Sequence, residues 1–177
     1  GYLMIGADYF GKAASAEDDS YTVKASTQQA CIDMLFAAQA ACAELGFALD
    51  KLFLSGWSQG GWATPVVLER LESAGIPVTA AAYASAPVDL YATINRWMHA
   101  YDPIDAVYLP GVFAIQLNAY EEYYQLPGLA NFAIKPQYQA AARQFYLDKV
   151  SLEEAARELP TLVADLLTEE FMASSSS

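Results

Sequence analysis

The sequence predicts a mixed α/β chain: part of a parallel β-sheet with helices on its faces, followed by a helical segment. Three observations predict it. Short apolar runs at Tyr2–Ala7, Leu52–Ser55 and Val78–Ala84 read as strands. Two helical patterns separate them, and strands alternating with helices make consecutive βαβ units, whose strands are parallel. After Leu90 no β-type alternation recurs, and prolines at 103, 110, 127, 136 and 160 punctuate short helical stretches.

Tyr2–Ala7 is continuously apolar, as a central parallel strand buried on both faces would be. It reads as a strand already under way, with no initiator Met or signal peptide, so a segment of a longer chain is expected. Residues 8–20 form a loop with Gly11 and the acidic cluster Glu17–Asp18–Asp19. A helix then starts between Ser20 and Ser26, either of which could cap it. Its apolar positions are Cys31, Met34, Leu35, Ala38, Ala41, Cys42 and Leu45, a three-and-four spacing that marks one buried face. Gly46 is placed to end it. After the strand Leu52–Ser55, a second helix runs from about Gln59 to Ser73. Pro65 within it lacks an N–H, so a kink is expected, and Gly75 stops it. The strand Val78–Ala84 is rich in alanine, where helices must pack close. The order of the strands in the sheet is not readable.

Residues 91–172 read as a helical cap. Pro136 and Pro160 suit first-turn helix positions, and Ser151-Leu152-Glu153-Glu154 fits a capping box. Most of the tyrosines fall here. Residues 173–177 read as a flexible tail, which leaves 1–90 as the sheet-bearing segment.

The 177 residues suit one domain, and with 55% apolar residues there is ample material for a core. No apolar run approaches the ~18–20 residues needed to cross a bilayer. A formal net charge of −12 argues against nucleic acid and anionic membranes as partners. Cys31 and Cys42 lie eleven residues apart in one helical pattern. That is roughly 16 Å, too far for a disulfide, whose Cα atoms must come within about 7 Å. They read as small buried hydrophobes.

The chemistry concentrates in Leu52-Phe53-Leu54-Ser55-Gly56-Trp57-Ser58-Gln59-Gly60-Gly61. An apolar run meets Gly-x-Ser-x-Gly-Gly, and a helical pattern starts at once. That order makes a nucleophile elbow, with Ser58 at the apex of a sharp, strained strand-to-helix turn. Gly56 and Gly60 are expected where neighbouring backbones leave no room for side chains. The following helix points its N-terminus at the site, and its unpaired N–H groups favour developing negative charge. The backbone N–H of Gln59 is then an oxyanion donor by position.

The segment Gly56–Gly61 resembles the elbow of the α/β-hydrolases, in the form found in secreted lipases, cutinases and related esterases. Ala7-Asp8-Tyr9-Phe10-Gly11 resembles the Asp-Tyr-x-Gly segment that follows the preceding strand in many of them. Ser85-Ala86-Pro87-Val88-Asp89-Leu90 resembles the turn after the next strand. The resemblance covers about residues 1–92. It implies part of an α/β-hydrolase sheet, a carboxylic ester hydrolase acting through an acyl-enzyme on Ser58, and a lid formed by 91–172. It favours a secreted or periplasmic setting.

Such a serine needs a base, normally a histidine oriented by a carboxylate. The one histidine, His99, comes too early in the chain and lies in the helical pattern. Asp89 follows the strand after the elbow strand, where some relatives of this kind carry their acid. The commoner position follows a later strand, which this chain does not reach. Asp8 has no assigned catalytic role. The acid and histidine are therefore expected from sequence outside this chain. No phosphate-binding or dinucleotide-binding glycine motif is present, a zinc site is improbable on composition, and no cofactor is implied. The expected partner is a small ester, apolar or aromatic. The alternatives are a hydrolase-fold binding protein without catalysis, and a serine peptidase or acyltransferase on the same fold.

Overall fold

Helix α1 (Lys24–Glu44) opens the regular structure in a computed structural model that describes residues 2–174. Its N-cap is Val23, and neither Ser20 nor Ser26 caps it with a side chain. The Ser26 hydroxyl instead donates to the Val23 carbonyl at 3.1 Å. Gly46 ends α1 at φ +74°, with Phe47 N–H donating to Cys42 O and Gly46 N–H to Ala43 O. Those two bonds make a Schellman motif, which the left-handed glycine permits. The same pair closes helix α2 (Gln59–Ser73): Ile76 N–H donates to Leu71 O and Gly75 N–H to Glu72 O.

Strand β1 (Phe53–Trp57) precedes α2 and strand β2 (Ala80–Ala84) follows it. The two strands pair in parallel, Phe53 opposite Ala80 through to Trp57 opposite Ala84. Side chains alternate across a strand. Leu54 therefore faces one side, and Phe53, Ser55 and Trp57 the other. Helices α1 and α2 cover the Leu54 side, where Ile32, Leu35, Val67 and Leu71 form a buried cluster with Leu52 and Leu54 against it. Burying a side chain such as Leu71 is worth about 1.5–3 kcal/mol. The other side is open, and Trp57 is 71% exposed.

Two expectations need correction here. The run Tyr2–Ala7 is not a strand, and Tyr2 and Met4 are each 93% exposed. A strand apolar on both sides needs an edge partner and cover on both faces to fix its register. Among the described residues it has neither, although the Tyr2 ring meets Phe53 edge-on at 6.1 Å. The buried face of α1 also differs. Ile32 is buried, whereas Ala41 is exposed and Leu45 is 72% exposed. With 21 residues α1 is about 31 Å long, and α2 with 15 is about 22 Å. Near the end of α1 only Cys42 is buried, and Ala41 and Ala43 on either side of it are exposed.

The chain divides into two compact units between Val88 and Asp89. The second is helical: α3 (Leu90–His99), α4 (Leu109–Tyr123), α5 (Leu129–Ala133), α6 (Pro136–Tyr146), α7 (Leu152–Glu158), α8 (Val163–Leu166) and α9 (Glu169–Ser174). Its own core gathers Phe113, Ala114 and Leu117 of α4 with Ile134, Ala142, Leu166 and Leu167. Pro136 opens α6, where its missing N–H costs nothing. Ser151 and Glu154 form a complete capping box on α7. Pro160 does not begin a helix. It follows the C-cap of α7, where it blocks further helix. Ala173 and Ser174 end α9 rather than beginning a tail, and residues 175–177 lie outside the described residues.

Candidate active site

Ser58 stands between β1 and α2, at φ 54° and ψ −114°. A non-glycine residue at positive φ holds strain of order 1–3 kcal/mol and persists only where its surroundings fix it. Three contacts do so. The Ser58 N–H donates to the Ala84 carbonyl at 3.1 Å, which carries the β1–β2 ladder one residue into the turn. The Ser58 carbonyl accepts from Trp62 N–H at 3.0 Å, the first helical bond of α2. Gly56 packs directly on the far side of the turn. A Cβ there would lie 1.9 Å from the Gly60 oxygen and 2.5 Å from Thr64 Oγ1.

The second glycine contact is not where the sequence placed it. A Cβ on Gly60 would meet nothing within 4 Å. Gly61 is the constrained one: its Cβ would lie 2.6 Å from the Ala84 oxygen and 2.9 Å from the Ala86 Cβ. The glycine at 61 lets α2 cross the end of β2 at close range. Thr64 was passed over in the sequence, although its spacing of four from Gly60, just before a helical proline, was a usable signal. It is 5% exposed, and its hydroxyl donates to the Gly60 carbonyl at 2.8 Å.

The arrangement suits nucleophilic chemistry. Ser58 occupies the N-cap position yet makes no side-chain cap, and it is exposed, so its hydroxyl is not committed to the helix. Gln59, Gly60 and Gly61 are the first three helical residues, whose N–H groups have no carbonyl one turn back. They add the positive end of the α2 dipole beside the serine.

The other candidates lie elsewhere. Asp8 is exposed in the loop before α1. Asp89 is the N-cap of α3, its carboxylate accepting from Ala92 N–H at 2.8 Å. His99 is the last residue of the same helix. Ten residues of helix put Asp89 and His99 about 15 Å apart, so they cannot form an acid–histidine pair with each other.

Beside β1 lies a cavity of about 250 Å³, bounded by Ile5, Tyr9, Cys31, Ser55, Gly60 and Thr64 among others. Burial raises the Cys31 thiol above its ordinary range, and burial with the neighbouring thiol raises the Tyr9 phenol. Both are neutral near pH 7, so no thiolate nucleophile stands there. Among the described residues no three His, Cys, Asp or Glu side chains gather as a metal site would require, and no helix is long and apolar enough to cross a membrane.

The sequence matches no protein-family profile and no curated protein. Solved structures do match in three dimensions. One is a Legionella pneumophila protein provisionally assigned as a hydrolase, with a TM-score of 0.85 and 24% identity over 95% of this chain and 45% of that one. Another is the rice cell wall degrading esterase LipA from Xanthomonas oryzae, with a TM-score of 0.79 and 21% identity over 94% of this chain and 46% of that one. The chain spans about half the length of each. At this similarity the chain shares its fold of helices and parallel strands with the matching part of both structures.

Proposed function

We propose that this chain carries the nucleophile of a serine hydrolase acting on carboxylic esters. The carrying observation is Ser58 at positive φ, uncommitted to its helix, beside the unbonded N–H groups that open α2. Ser58 Oγ attacks the ester carbonyl carbon as its proton passes to a histidine. The carbonyl oxygen becomes an oxyanion, held by the Gln59 N–H. The alcohol leaves with that proton, forming an acyl-enzyme. Water then attacks the acyl carbon, releasing a carboxylic acid and restoring Ser58.

The acid and histidine come, on this proposal, from polypeptide outside this chain. Asp89 and His99 sit too far apart to serve one another, and the chain matches less than half of the hydrolase and esterase structures. That polypeptide also completes the parallel sheet. Residues 91–172 act as a lid that selects among esters, with apolar or aromatic acyl groups favoured, since burying an unpaired charge is costly.

The test is labelling of the full-length protein by an organophosphonate ester, with p-nitrophenyl esters as substrates. Ser58→Ala abolishes both labelling and turnover, with the fold intact by circular dichroism. His99→Gln leaves turnover within about tenfold, against ~10⁴ for a triad base. Labelling that survives Ser58→Ala overturns the nucleophile. A ~10⁴ loss in His99→Gln means that the chain carries its own base. Binding of esters without turnover favours the non-catalytic reading, and preference for amides favours the peptidase.

A further inference from the structure

We propose that Thr64 is a positioning residue for the oxyanion-binding turn: its hydroxyl locks the Gly60–Gly61 peptide plane, which fixes the direction of the Gly61 N–H and anchors the Gln59 and Gly60 peptides that precede it. The inference rests on the reading of Ser58 as the nucleophile.

The first turn of α2 has little of its own to hold it. It contains Gly60 and Gly61, and glycine is the residue least restrained by its own backbone. Each glycine disfavours helix by about 1 kcal/mol relative to alanine. The next rung is also weak. Pro65 has no N–H, so the Gly61 carbonyl lacks its donor four residues on. The cavity beside β1 borders this turn at Gly60 and Thr64, so packing does not fill in behind it. Catalysis by N–H donors nevertheless demands a turn held in one geometry.

Thr64 supplies the missing restraint. Its hydroxyl donates to the Gly60 carbonyl at 2.8 Å, on the last helical rung before the proline gap. The Thr64 side chain is 5% exposed, which limits the access of bulk solvent to the bond. A threonine back-bond of this type slightly destabilises and bends a helix in general. Its value here is geometric. The Gly60 carbonyl is pinned on one side by Gly56, whose added Cβ would lie 1.9 Å away, and on the other by the hydroxyl. With that peptide plane fixed at both sides, the Gly61 N–H it carries is held in one direction, and the Gln59 and Gly60 peptides before it are anchored at one end.

Thr64→Val keeps the shape and removes the hydroxyl, and Thr64→Ser keeps the hydroxyl and removes the methyl. Two readouts are taken on the full-length protein: the carbonyl ¹³C chemical shift of Gly60, and kcat and KM for a p-nitrophenyl ester. In Thr64→Val the Gly60 shift moves upfield as one bond is lost, kcat falls about tenfold and KM stays within twofold. Thr64→Ser restores both to near wild type. An unmoved Gly60 shift in Thr64→Val overturns the lock. A moved shift with kcat unchanged overturns the positioning role. Equal losses of kcat in both variants assign Thr64 to packing and also overturn it. If the wild type neither turns over the ester nor labels with an organophosphonate, the nucleophile reading itself fails. The shift then still reports whether the lock exists.

Discussion

At the scale of single residues, Gly56 and Gly60 flank the same serine yet carry unequal demands. Gly56→Ala drives a Cβ into main-chain atoms of Gly60 at 1.9 Å. It should lower stability by about 2–3 kcal/mol, as overpacking does. Gly60→Ala meets open space and replaces a glycine inside a helix, so it should be neutral or stabilising by up to about 1 kcal/mol. Urea unfolding of the two variants checks the contrast, and equal destabilisation would refute it. The sequence marked both glycines because the motif is symmetrical on paper. The asymmetry is set inside the turn, where Gly56 faces the Gly60 carbonyl, whereas β2 passes behind the turn and presses on Gly61. A contact with a strand more than twenty residues downstream is not written in the motif. The same holds for Thr64, whose role depends on burial. The placement of Ser58 and Gln59 between β1 and α2 was legible because a strand end, a glycine and a helix start are all local signals.

At the scale of elements, the helix stops and the parallel β1–β2 pair were read well, whereas the α1 start, the place of Pro160 and the Tyr2–Ala7 strand were not. The limits of α2, the Gly46 and Gly75 stops and the α7 capping box all follow from local chemistry. The Tyr2–Ala7 strand failed because an apolar run becomes a strand only if another strand receives it. The loop after α3 shows a third case. Arg96 grips Asp105 through both guanidinium nitrogens, at 3.0 and 2.7 Å, and Asp105 also accepts from Asp102 N–H at 2.9 Å. The guanidinium hydrogen bond, with help from the Asp102 N–H, holds the Asp105 carboxyl below its usual range. A depressed carboxyl pKa gives a contribution fully present above the unfolded value, about 3.9, and lost as pH falls through the folded value. Residues 100–106 should therefore be held at neutral pH and released below about pH 4. In Asp105→Asn they should exchange amide hydrogens faster at pH 7, and no longer gain further as pH drops. Unchanged exchange at pH 7 in that variant would count against the fork as the loop's restraint.

At the scale of the whole molecule, the parallel pair β1–β2 departs from the usual rule. Parallel sheets are covered on both faces, and here helices cover one. The open face carries Phe53 and Trp57, and Tyr2 leans on Phe53. We expect polypeptide outside this chain to cover that face in the full-length protein. Trp57 fluorescence should then be readily quenched by acrylamide in the isolated chain and protected in the full-length protein, with Trp62 shielded in both. Equal quenching of Trp57 in the two would show that nothing is seated there.

The contact between Gly56 and the Gly60 carbonyl also constrains descent. A collision with a side chain can be relieved by trimming that side chain, so paired replacements let such sites wander over time. A collision with main chain has no such remedy, since every residue at position 60 brings the same carbonyl. Lineages sharing this turn should thus be free to exchange Gly60 for alanine or serine early. Position 56 can change only when the turn itself is lost, and with it the chemistry proposed for Ser58.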